Sequence, residues 1–152
     1  MMGWPALVAL ALAGAGMPPP GPSLSVGSPR QEALAEVAHR VRRAWEAQRP
    51  AEVVGQAIRV LVQLPDGSEQ ATVARDQAIR LLEGLFRRTE ELDVSVRSSR
   101  EVGPGQGYVE LRRRFRPVGG EVAVQRVLLA FRREGELGFW RLVEVRVFEA
   151  GS

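Results

Sequence analysis

The pattern of apolar and polar positions is most strand-like in the C-terminal third of the chain. Three runs, residues 108–118, 122–133 and 139–148, are rich in Val, Leu and Phe. Breaks at Gly119-Gly120 and at residues 134–138 separate them, and their lengths suit β-hairpins. The pattern predicts an antiparallel meander. Upstream, Leu34, Val37, Ala38, Val41 and Trp45 recur at three and four residues and make one apolar helix face. Ser28 as N-cap, Pro29 as first helical residue and Gln31 as capping-box partner predict where that helix begins. Arg49-Pro50 predicts its end, because a residue before proline avoids the helical region. Ile58, Val60, Val62 and Leu64 then alternate with Arg59, Leu61 and Gln63 as in a strand. Pro65-Asp66-Gly67-Ser68 follows with turn chemistry. A second helix, capped by Ser68 or Thr72, would bury Ala74, Ala78, Ile79, Leu82, Leu85 and Phe86. Leu92, Val94 and Val96 open a further strand, and residues 100–107, with Gly103, Pro104 and Gly105, read as a loop. The order is helix, strand, helix, then four strands.

The N-terminus breaks this pattern. Residues 6–16 are uncharged and apolar, short for a bilayer span but suited to the core of a signal peptide. Ala13-Gly14-Ala15 has the small-x-small form of a cleavage site, although no Lys or Arg precedes the apolar run. Residues 17–28 carry Pro18-Pro19-Pro20, Pro22 and three Ser, a linker composition. The expected organisation is a signal peptide over 1–15, a flexible linker over 16–28 and one α+β domain over 29–150. The mature protein would be exported, periplasmic or secreted, with no stable membrane insertion once the leader is removed.

Composition removes several classes of function. The chain has no Cys, which excludes disulfides and thiolate metal sites, and its single His excludes a His-rich metal centre. No cofactor is expected. The formal charge is +3 and the isoelectric point near 10.8, but every basic residue is Arg, a compositional bias rather than a patch. His39 lies off the apolar stripe of the first helix. Of three Asp, Asp66 sits in a turn, Asp76 on the polar side of the second helix and Asp93 at a strand start. No acid–base pair suggests itself, so no catalytic residue is assigned. Arg112, Arg114 and Arg116 form a stripe on one strand face, and Tyr108 is a lone candidate stacking ring. A single-strand platform needs several such rings, so no nucleic-acid partner is expected.

The order of elements resembles the cone fold of the ketosteroid-isomerase and nuclear-transport-factor superfamily. Within it, the chain looks like a group of small uncharacterised bacterial exported domains. The local similarities are Leu64-Pro65-Asp66-Gly67 before the second helix, Leu85-Phe86 near that helix's end, and Trp140 followed by Leu142-Val143-Glu144-Val145-Arg146, within residues 32–149. The resemblance implies a strongly bent antiparallel sheet with helices covering its concave face. It does not imply an activity, since such folds host isomerases, dehydratases and non-catalytic modules alike.

Arg113 stands out as a charge on an apolar strand face. A two-residue turn at Gly119-Gly120 would place it opposite Arg126, an unfavourable pairing. A three-residue loop would place it opposite Val127, with Leu111 facing Leu129 and Val109 facing Phe131. The second register is preferred because it pairs apolar with apolar. If Phe131 also faces Trp140, then Arg113, Val127 and Glu144 form one row across the sheet. That row is either the exposed end of a half-buried face or, with Arg126, a ligand-binding set. The runs at residues 127–131 and 140–148 are apolar on both faces, and a strand apolar on both faces is usually covered on both. If the helices take the side of Val143, Val145 and Val147, then Val127, Leu129, Phe131, Trp140, Leu142 and Phe148 would form an outer interface. The expected function is an exported, non-enzymatic binding or dimerisation module, with a second copy, a small ligand or an envelope protein as partner. The alternative is an isomerase- or hydrolase-type enzyme of the same fold.

Overall fold

The computed structural model describes residues 32–67, 69–135 and 138–150. The expected leader, the linker and the Ser28–Pro29–Gln31 helix start lie outside these residues, as does the Ser68 cap. Helix α1 spans Leu34–Glu46 and α2 spans Pro50–Val54. They are followed by β1 (Arg59–Gln63), β2 (Ala71–Ala74), α3 (Arg75–Arg87), β3 (Thr89–Gly103), β4 (Gln106–Pro117), β5 (Ala123–Arg132) and β6 (Arg141–Glu149). The six strands form one curved, open sheet in the order β2-β1-β6-β5-β4-β3. All neighbours are antiparallel except β1 and β6, which run parallel.

The helix pattern holds in its buried stripe and shifts at its ends. Leu34, Val37, Ala38, Val41, Ala44 and Trp45 are buried on α1. The helix starts at Leu34 rather than at Pro29; Ala33 holds the N-cap position, and its N–H donates to Glu36 Oε1 at 3.2 Å. At the other end Gln48 takes φ 55°, and the Arg49 N–H reaches back to the Ala44 carbonyl at 2.9 Å. This left-handed C-terminal turn closes the helix before Pro50. Pro50 then opens α2 as its first residue, a position where its missing N–H costs nothing. Thr72 does not cap α3. It lies in β2, a short strand paired with β1, and Ala74 precedes the helix as an exposed strand end.

The proposed loop at residues 100–107 is instead the tip of the long β3–β4 hairpin. Only Pro104 and Gly105 separate the strands, and Gly103 pairs with Gln106. Between β4 and β5 the connection is five residues, 118–122, longer than either expected turn. Arg113 therefore faces Gln125, Leu111 faces Val127 and Val109 faces Leu129. The register is two residues from the preferred one, so the same side chains share the inner face although their partners differ. The N–H of Val118 donates to the Arg88 carbonyl at 2.9 Å, which holds the end of β4 against the start of β3.

The core lies between the helices and the inner sheet face. Trp45, Leu82, Val60, Val109, Leu111, Val127, Leu129 and Val145 are buried there. Side chains of this kind each contribute roughly 1.5–3 kcal/mol on burial. Trp45 in the last turn of α1 meets Phe86 in the last turn of α3 edge-on, with centroids 5.1 Å apart.

Candidate functional site

Between the helices and the inner sheet face, among the described residues, lies one fully buried ion pair. Arg113 is 0% exposed, and the side chain of its partner Glu91 is 1% exposed. The guanidinium grips the carboxylate at two points, Nε to Oε1 at 3.0 Å and Nη2 to Oε2 at 2.5 Å. Arg113 Nη1 also donates to Gln125 Oε1 at 2.9 Å, and Nη2 to Thr89 Oγ1 at 3.2 Å. Trp45 Nε1 donates to Glu91 Oε1 at 3.1 Å, and the Phe115 ring lies 3.9 Å beneath the guanidinium carbon. Burial pushes the Arg113 pKa down from its ordinary value, and the hydrogen bond and charge of Glu91 oppose that shift. A buried charge with this many partners avoids the cost of an unpaired one.

The row expected from sequence is replaced. Arg113, Gln125 and Glu149 are neighbours across β4, β5 and β6, and Gln125 Nε2 donates to Glu149 Oε1 at 3.0 Å. Val127 faces Val147 rather than Glu144, and Phe131 faces Leu142 rather than Trp140. Arg113 is not at the exposed end of a half-buried face. Arg126 and Glu144 lie on the opposite, outer face. Arg126 sits 5.5 Å from the Phe148 ring and 3.9 Å from Glu110, and Glu144 pairs with Arg146. The three candidate ligand residues are therefore split between the two faces.

The expected outer interface is also redistributed. Val127, Leu129, Phe131, Trp140 and Leu142 are buried in the core, and of the six only Phe148 faces outward. The cause is a β-bulge. Ala130 pairs with Glu144 and Phe131 with Leu142, so Val143 is the extra residue on β6. An extra residue reverses the alternation. Trp140 and Leu142 therefore point to the same inner side as Val145 and Val147. The two-sided apolar pattern of β6 is one face interrupted by a bulge.

What remains outside is a half-buried outer face that none of the described helices covers. Its rows are Leu61–Glu144–Ala130–Tyr108, then Gln63–Arg146–Leu128–Glu110, then Phe148–Arg126–Arg112. Apolar and charged side chains of both signs alternate across it. A 370 Å³ cleft opens between α1, α2 and the inner sheet face, where Phe131 and Leu142 line it beside the β5–β6 connection. Its wall is Val41, Val54, Phe139 and Trp140; its rim carries Glu52 and a Glu32–Arg40 ion pair of 2.9 Å. The chemistry available inside the cone is limited. His39 is exposed on α1, Asp76 is exposed on α3 beside Arg75, and Tyr108 points outward. Among the described residues no cluster of three or more His, Asp or Glu could hold a metal ion.

No protein-family model and no curated protein matches the chain. Solved structures do. A ketosteroid isomerase-like protein from Erwinia carotovora superposes with a TM-score of 0.62 at 15% identity, over 78% of this chain and 95% of the other. A proposed dehydratase of the nuclear-transport-factor-like family from Streptomyces avermitilis gives 0.58 at 14% identity, covering 78% and 96%. A proposed calcium/calmodulin-dependent protein kinase II association domain from Thiobacillus denitrificans gives 0.57 at 15%, covering 79% and 98%. The chain has the nuclear-transport-factor-like cone fold, and at these identities the likeness extends to the fold alone.

Proposed function

We propose that this domain is an exported, non-catalytic association module that pairs with a second copy through the outer face of its sheet. The observation that carries the reading is the composition of that face. Leu128, Tyr108, Phe148 and Leu61 supply apolar area between Glu110, Glu144, Arg112, Arg126 and Arg146. A two-fold axis brings the same surface onto itself, so acids of one copy can meet arginines of the other. Arg and aromatic residues are enriched at interfaces for this reason. Arg112 opposite Arg126 leaves like charges adjacent, with Glu110 as the nearest acid at 3.9 Å from Arg126. A partner carboxylate would relieve that pair.

The engagement of the charged groups between helices and sheet supports a non-catalytic role. A general acid or base must reach the proton it moves; Arg113 and Glu91 are closed to solvent and bonded to each other, and the acids that line the cleft, Glu32 and Glu52, are ion-paired with Arg40 and Arg49. Similarity in fold to an association domain accords with self-association, as similarity to a proposed dehydratase accords with catalysis; neither decides between them. The test is sedimentation of residues 29–150 at micromolar concentration. The wild type is expected to be a dimer and Leu128→Glu a folded monomer with an unchanged circular dichroism spectrum. A wild type that is monomeric throughout overturns the proposal.

A further inference from the structure

At the rim of the sheet, the first residues of β1 and β6 meet the last residue of β5 around a 310 Å³ groove. Ile58, Phe139 and Val143 make its apolar surface, and Ile58 and Phe139 are 64% and 52% exposed. Arg59, Arg132 and Arg141 also line it, and among the described residues Glu134 is the one carboxylate that faces them.

The charges there are poorly matched. Arg132 and Arg141 are direct cross-strand partners, an arrangement that repels unless an anion lies between them. Arg132 has no ion pair among the described residues. Arg141 reaches Glu134 only at 3.9 Å, the Glu134 side chain is 85% exposed, and the buried Nε of Arg141 has no hydrogen-bond partner among the described residues. Arg59 spends one nitrogen on the Thr72 carbonyl at 3.2 Å. An ion pair this long and exposed holds its partners weakly.

We propose that this groove binds a single-chain amphiphilic carboxylate. Its head replaces Glu134 as the partner of Arg141 and lies between Arg141 and Arg132, where guanidinium forks match a carboxylate. Its chain covers Ile58, Phe139 and Val143. The volume is at the small end for ligand sites and suits one chain rather than a two-chain lipid. Glu134 already brings a carboxylate to Arg141, so a head of that size has room.

The site stands apart from self-association, and its test does too. Calorimetric titration with decanoate below its micelle concentration is expected to show saturable one-to-one binding. Acetate, which lacks the chain, and 1-decanol, which lacks the charge, are expected to bind at least roughly tenfold more weakly, as loss of one substantial interaction implies. Arg132→Gln and Phe139→Ser should each weaken decanoate by about the same factor. Both positions are exposed, and circular dichroism checks that the fold is kept. Leu128→Glu should bind decanoate as the wild type does, so a failed dimer leaves this result readable. Absence of saturable decanoate binding, decanol binding as tightly as decanoate, or unchanged affinity in both groove variants overturns the proposal.

Discussion

Arg113 shows how a single residue can be read correctly as unusual and still be misplaced. Its charge on an apolar face was legible in the alternation of β4. Its partner was not. Glu91 follows Thr89-Glu90 and precedes Leu92, and alternation from Val94 and Val96 back through Leu92 assigns Glu91 to the outer face. A bulge between Glu91 and Asp93 reverses the alternation, so Glu91 and Val94 both face inward. The energetic consequence is asymmetric. Removing one member of a buried pair leaves an uncompensated charge, a loss of about 3–5 kcal/mol. Glu91→Ala should lower stability by that order in urea denaturation. Replacing both, as Arg113→Met with Glu91→Leu, should recover most of the loss. Equal losses in the single and double variants would show that the pair is not what the core depends on.

At the scale of elements, the buried stripes of α1 and α3 and the meander of β4, β5 and β6 follow from periodicity. Their boundaries depend on backbone details that periodicity does not carry. The β3–β4 hairpin is the clearest case: a Gly-Pro-Gly segment looks like a loop, yet the strands continue to within two residues of each other. Gly105 makes this possible. It has φ 70°, and a Cβ there would lie 2.4 Å from the Arg133 carbonyl oxygen. Gly105→Ala should therefore destabilise by at least about 1–2 kcal/mol, from the left-handed backbone alone. Thermal denaturation measures it. An unchanged melting temperature would mean that the tip relaxes without cost.

At the scale of the molecule, the consequence is an inversion of the expected interface. The strongest apolar residues of β5 and β6 form the core, and the face left for a partner is built from the residues between them. A dimer test through Leu129 would only disturb folding, since Leu129 is buried; Leu128 is the informative position. Export belongs to this scale as well. Protein from the native host is expected to begin near Gly16 and to be found outside the cytoplasm, by N-terminal sequencing of fractionated cells. An intact Met1 in the cytosolic fraction would remove the export proposal.

Legible in the sequence by itself were the class of the fold, the buried faces of α1 and α3, the strands β1 and β3 to β6 in their chain order, and a charge in an apolar setting; α2 and β2 were not. The legible features are local properties, set by side-chain spacing of 3.6 or 2 and by turn residues. Tertiary structure alone decided the rest: which strands neighbour which, the five-residue β4–β5 connection, and the bulges at Leu92 and Val143. One inserted residue turns every later side chain to the other face, and nothing in the spacing marks where the insertion falls. So Arg113 found Glu91 rather than Glu144, and Trp140 joined Val145 in the core, because two single-residue irregularities outweighed an otherwise regular alternation.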